Sequence, residues 1–153
     1  MPGIATHICC PIEISNIDES LTATLDVALS DPQGKPPSSI ICVDDEVVID
    51  VTVTLAGAFA RSFCGQLCVG LGLESMGGGA EPDYSQSKDL NPCGDGKYTF
   101  QFRIPANTLT TTPCGKVYCA SVTLGSRNSC GDAGPIWGFC RELCFAVVEC
   151  RTN

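Results

Sequence analysis

The chain is poor in the residues that build most active sites. It holds one histidine, one tryptophan and two methionines among 153 residues. The single histidine, His7, sits beside the N-terminus, which removes two-histidine metal centres and most triads and dyads. No two cysteines have the Cys-x-x-Cys spacing of zinc ribbons or thioredoxin-type redox sites. Nucleotide-binding glycine fingerprints, Walker loops and Asn-x-Ser/Thr acceptors are missing as well. No apolar run approaches the roughly 18 residues of a membrane-crossing helix, and no segment repeats its apolar residues with the 3.6-residue helical period. Basic residues number 9 against 17 acidic ones, a formal charge of −8, so a nucleic-acid or anionic-membrane surface is not expected. Met1 to His7 shows no basic region followed by an apolar core, so no signal peptide is expected either. These absences point away from an enzyme and give no reason to expect a metal or another cofactor.

What is present is sulfur. Twelve cysteines in a chain that is 44% hydrophobic and 17% charged describe one disulfide-stapled globular domain, or one domain with a short arm. Their even number suits pairing, and pairing suits an oxidising place, extracellular or at a cell surface, reached by a route the sequence does not reveal. Metal ligation is the lesser reading, because no metal-site spacing occurs.

Residues 1–20 read as an arm carrying the apolar segment His7 to Ile14, residues 21–150 as the body, and 151–153 as a tail. The body alternates apolar and polar residues with period two: Leu21 to Leu29, Val47 to Leu55, Phe63 to Leu73, Tyr98 to Ile104, Tyr118 to Leu124 and Phe139 to Val147. Six or seven such strands between turn-rich segments predict an all-β fold, a single β-sandwich of jelly-roll or immunoglobulin-like type with an extended N-terminal arm. Met76 to Gly96, rich in Gly, Asp, Ser and Pro, reads as a loop long enough to be functional or mobile.

Strand phase also places the cysteines. With Phe63, Leu67, Tyr118, Phe139 and Leu143 facing inward, Cys64, Cys68, Cys119, Cys140, Cys144 and Cys150 face outward, on three strands expected to be neighbours. In an extended strand the Cα atoms of residues four apart lie about 13 Å from each other. A disulfide needs them within about 7 Å, so neither Cys64–Cys68 nor Cys140–Cys144 closes within its own strand. The expected bonds run across strands, from loop to strand, or between chains. Were residues 139–146 helical instead, Cys140 and Cys144 would share a face and metal ligation would return. Adjacent Cys9 and Cys10 point to opposite faces of an extended arm. Either they bond a neighbouring molecule, or the arm is the first strand of its own domain.

Three further features have a bland and a sharp reading. The acids Asp44, Asp45, Glu46 and Asp50, and Glu81, Asp83, Asp89 and Asp95, are either solvated turns or calcium ligands. His7 is either a plain arm residue or a base that assists the neighbouring thiols. Trp137 with Tyr84 is either core packing or a sugar-binding platform.

The arm Ile8-Cys9-Cys10 ahead of a small cysteine-containing sandwich resembles the subunits of bacterial endospore appendages. That resemblance implies jelly-roll subunits whose N-terminal connectors form disulfides with preceding subunits. On it, Cys9 and Cys10 are the donors and outward strand cysteines such as Cys119 and Cys144 the acceptors. The remaining eight (Cys42, Cys64, Cys68, Cys93, Cys114, Cys130, Cys140 and Cys150) then staple the domain itself. The function expected is a structural subunit that assembles with itself, head to tail, into a disulfide-linked extracellular filament or coat. A secreted sandwich binding a carbohydrate or a protein is the alternative, and a cytosolic metal- or redox-handling protein with free thiols is a third.

Overall fold

A computed structural model describes residues 6–12, 22–30, 40–57, 60, 63–90, 93, 96–134 and 136–150. Among these residues nine strands form two sheets. Strands β1 (Thr6–Ile12), β2 (Thr22–Ser30), β4 (Val47–Ala56) and β7 (Gly96–Ile104) make a four-stranded sheet in the order β1-β2-β4-β7. Strands β3 (Ile40–Cys42), β5 (Gly65–Ser75), β6 (Asp83–Asp89), β8 (Lys116–Asn128) and β9 (Gly138–Val148) make the other, in the order β3-β9-β8-β5-β6. Every pairing is antiparallel except that of β3 with β9.

The alternation that predicts the strands also builds the core. Val51, Val53 and Leu55 of β4 are buried while Asp50, Thr52 and Thr54 are half-exposed. The inner residues of β2, β4 and β7 meet Leu67, Val69 and Leu71 of β5 and the inner rows of β8 and β9. Each fully buried Leu, Val, Ile or Phe contributes about 1.5–3 kcal/mol, and β-branched residues suit the pleated surface that carries them. Tyr118 is buried with a satisfied hydroxyl: the Thr110 N–H donates to it at 3.0 Å, and Thr110 Oγ1 lies 3.1 Å away. Its ring stacks on Phe145 at 6.2 Å.

Three sequence expectations need correction. Within the stretch 76–96 expected to be a loop lies β6, seven residues with no apolar alternation. It is an edge strand whose inward positions are Tyr84, Gln86 and Lys88, so periodicity has nothing to report. Gln86 Nε2 donates to the Gln101 carbonyl at 2.6 Å and Lys88 Nζ to the Thr99 carbonyl at 2.7 Å. These two side chains close one flank of the sandwich against the edge strand β7.

The second correction is the phase of β9. Ala120 pairs with Leu143 but Val122 with Cys140, so two residues of β9, Arg141 and Glu142, stand opposite one of β8. This bulge inverts the alternation. Cys140 is therefore 2% exposed and Phe139 60% exposed, the reverse of the sequence expectation.

The third concerns the arm. Thr6–Ile12 pairs along its whole length with β2 of the same chain, Cys9 opposite Asp26 and Cys10 opposite Leu25, and β1 also borders β9. The arm is thus a strand of its own domain, the second of its two sequence readings. Residues 1–5, 13–20 and the tail 151–153 lie outside the described residues.

Candidate functional site

The cysteines concentrate on the five-stranded sheet, and cross-strand geometry decides their bonds. Cys119 and Cys144 are register partners on β8 and β9, with Cα atoms 4.0 Å apart, and they form a disulfide. Opposed outward positions on adjacent strands have that spacing, so the acceptors expected to serve a neighbouring molecule are bonded to each other instead. Cys42 pairs with Cys150 (Cα–Cα 5.5 Å), tying the end of β3 to the segment after β9. Cys64 pairs with Cys93 (4.6 Å), tying the entry of β5 to the segment after β6. Cys140 is disulfide-bonded as well. The strands that hold Cys68, Cys119 and Cys144 are neighbours, in the order β9-β8-β5.

Three of the expected intradomain candidates carry no disulfide: Cys68, Cys114 and Cys130. Cys68 is half-exposed on the outer face of β5, with its sulfur 3.7 Å from both Gln66 Oε1 and Ser87 Oγ. Cys114 and Cys130 are exposed, and each occupies the third position of a four-residue turn. In Thr112-Pro113-Cys114-Gly115 the Gly115 N–H donates to the Thr112 carbonyl at 2.8 Å, and the Cys114 N–H donates to Thr112 Oγ1 at 3.3 Å. In Asn128-Ser129-Cys130-Gly131 the Gly131 N–H donates to the Asn128 carbonyl at 3.0 Å, and the Cys130 N–H to Asn128 Oδ1 at 3.0 Å. Both turns end in a left-handed glycine, with φ of 85° at Gly115 and 86° at Gly131, which a Cβ would strain. One turn precedes β8 and the other follows it, so the two thiols stand at opposite ends of that strand. Cys9 and Cys10 have backbone positions in β1; their side chains, like that of His7, are outside the described part.

Around the sulfur lies the exposed apolar surface. Ile40 of β3 and Val117 of β8 both pair with Ala146 of β9, and the Met76 N–H donates to the Val117 carbonyl at 2.9 Å. Ile40, Val117 and Met76 are exposed and form one row across the sheet near the Cys114 turn. Towards the other end Phe139 faces outward, and Trp137, two residues earlier, is 68% exposed. The segment carrying Trp137 is anchored by Ser126, whose Oγ donates to the Ile136 carbonyl at 2.8 Å and accepts from the Ile136 N–H at 3.0 Å.

Trp137 therefore does not pair with Tyr84. Strands β8 and β5 stand between β9 and β6, and Tyr84 packs against the core. Burial raises the Tyr84 phenol above its ordinary pKa of 10.0. Phe139 is the aromatic that accompanies Trp137, and only the bulge in β9 turns it outward.

Of the acids weighed as calcium ligands, Glu46 is ion-paired with Arg103 and Asp50 accepts from Gln101 Nε2 at 3.0 Å. Glu81 Oε1 accepts from the Ser75 N–H and hydroxyl at 3.4 and 3.3 Å. Among the described residues no three His, Cys, Asp or Glu side chains are grouped to hold a metal ion, and no helix is long and apolar enough to cross a membrane. An open hollow of about 460 Å³ lies beside the Cys130 turn, lined by Gln66, Asp89, Arg127, Asn128 and Ser129 among others.

No family model matches the chain, and no curated protein matches it. Among solved structures it is similar to the C-terminal domain of Wzt, at 13% identity and a TM-score of 0.55, over 99% of this chain and 84% of that one. That likeness bears on the fold alone. The disulfides among the described residues fit an oxidising, non-cytosolic setting.

Proposed function

We propose that the chain is a structural subunit that joins copies of itself through disulfides, forming an extracellular filament or a surface coat. One observation supports this most. Seven described cysteines are bonded, whereas Cys114 and Cys130 are exposed thiols on separate turns. In the oxidising setting that the bonded cysteines imply, such thiols are the groups open to a second molecule. The exposed row Ile40, Val117 and Met76 adds apolar surface to the same sheet.

This joining does not need a free arm, since β1 pairs with β2 of its own chain. The edge strands β7, β3 and β6 offer little for strand addition. The carbonyls of Thr99 and Gln101 on β7 are occupied, β3 has three residues, and β6 is short, polar and charged. Non-reducing against reducing electrophoresis of the purified full chain, with negative-stain microscopy, tests assembly. A ladder that collapses on reduction, with extended particles, is expected; a single oxidised monomer under all conditions overturns the proposal.

A second reading, a secreted binding module, is favoured by Trp137 and Phe139 standing exposed near one another in sequence. Affinity electrophoresis through gels containing neutral polysaccharides tests it. Retardation that Trp137→Ser abolishes is expected on that reading, and unretarded migration in every gel counts against it.

A further inference from the structure

We infer that the joint between copies is a head-to-tail disulfide from Cys114 of one molecule to Cys130 of the next, an inference that rests on the assembly reading above.

The first reason is separation. The two turns flank β8, a 13-residue strand, and at roughly 3.3 Å per residue the strand alone spans about 40 Å. Cα atoms must come within about 7 Å for a disulfide, so these thiols cannot close on each other inside one chain. Each is instead offered at one pole of the sandwich, on a turn whose backbone is held by its own hydrogen bonds.

The second reason is that the poles differ. Cys114 lies on an exposed turn beside the end of β9, and the exposed Val117 and Met76 stand near it. Cys130 belongs to a turn whose Asn128, Ser129 and Gly131 line the 460 Å³ hollow. An exposed apolar row at one pole and a recess at the other make the two ends unlike, which favours a contact between unlike ends over a two-fold contact between like ones. A contact between unlike ends repeats without limit when its rotation does not close a ring, giving a linear polymer. Cys68 is a poorer partner, half-buried in the middle of the sheet face and in contact with Gln66 and Ser87.

The chemistry is thiol–disulfide exchange with a small-molecule disulfide as oxidant. The thiolate of one cysteine attacks that disulfide, forming a mixed disulfide and releasing one small thiol. The other cysteine's thiolate then displaces the second. Each joint gains one S–S bond, and two electrons and two protons leave on the two small thiols.

Complementation tests the inference. Cys114→Ser and Cys130→Ser alter exposed turn residues, and each variant keeps one competent pole. Purified full-length wild type and variants are incubated with oxidised glutathione and run without reductant. Wild type should give a ladder whose cross-linked peptides join Cys114 to Cys130. Each variant alone should lose every species above the dimer. An equimolar mixture of the two should give a dimer in at least tenfold higher yield than either variant alone. Dimers equally abundant in a single variant would overturn the head-to-tail joint in favour of a two-fold one. A ladder that persists in both variants would also overturn it, moving the joint to Cys68 or, if lost in Cys9→Ser/Cys10→Ser, to β1. In both cases assembly itself stands. A wild type that stays monomeric overturns both the joint and the assembly reading.

Discussion

The outer faces of the two sheets differ in chemistry although strands of the same period build both. On the four-stranded sheet the outward rows of β4 and β7 are Val48, Asp50, Thr52 and Thr54 with Lys97, Thr99, Gln101 and Arg103, and Val48 is the one apolar residue among them. Arg103 Nε donates to Gln101 Oε1 at 3.0 Å, Gln101 Nε2 donates to Asp50 Oδ1 at 3.0 Å, and Arg103 pairs with Glu46. That face is knitted from groups that water also satisfies. On the five-stranded sheet the outer face carries the Cys119–Cys144 bond, Cys68, Ile40, Val117 and Phe139. One sheet is finished for solvent, and the other carries the cross-links and most of the exposed apolar side chains.

On this contrast, sulfur matters to the second sheet as loop closure and the first sheet's network matters little. The largest effect should come from Cys42→Ser with Cys150→Ser. That bridge closes a loop of 108 residues, which the chain-entropy account values at about 5 kcal/mol. The denaturation midpoint without reductant should fall accordingly. Removing the Cys119–Cys144 bridge, which spans 25 residues, should cost less, about 3.5 kcal/mol. Equal losses for the two would contradict the loop-length argument.

Phe139→Ser sharpens the comparison from the other side. Its side chain is exposed, so unfolding stability should move by no more than about 0.5 kcal/mol. Binding of a hydrophobic dye to the oxidised protein should drop. On the polar sheet, Arg103→Ala removes an exposed ion pair and should lower stability by at most about 1 kcal/mol. That loss should shrink further in high salt.

The smallest effect concerns pH. Burial raises the Tyr84 pKa in the folded protein, so the unfolded chain loses this proton first as pH rises. Stability linked to Tyr84 is thus fully present below about pH 10 and lost as pH climbs towards the folded value. Tyr84→Phe should flatten that alkaline limb in stability curves measured beside wild type, and identical limbs would remove Tyr84 from the account.

These features were unequally legible in the residues. Val47 to Leu55 announces β4 and its inner face because every second side chain packs inward. The same rule excludes a bond within a strand such as Cys140–Cys144, whatever the neighbours are. It also points Cys119 and Cys144 outward, but two outward cysteines become a bond only when β8 and β9 lie side by side in the right register. The edge strand β6 left no periodic trace, because Tyr84 alone of its inward positions is apolar, while Gln86 and Lys88 donate to backbone carbonyls of β7.

What the residues determine alone is local: alternation assigns faces, turn residues end strands, and spacing forbids certain bonds. Which strands are neighbours, and whether a strand keeps its phase throughout, depends on hydrogen bonds between segments far apart in the chain. The bulge at Arg141 and Glu142 shows the consequence, exchanging the exposures of Phe139 and Cys140. Only tertiary pairing leaves Cys114 and Cys130 unbonded at opposite ends of β8, because a 13-residue strand paired on both sides separates them.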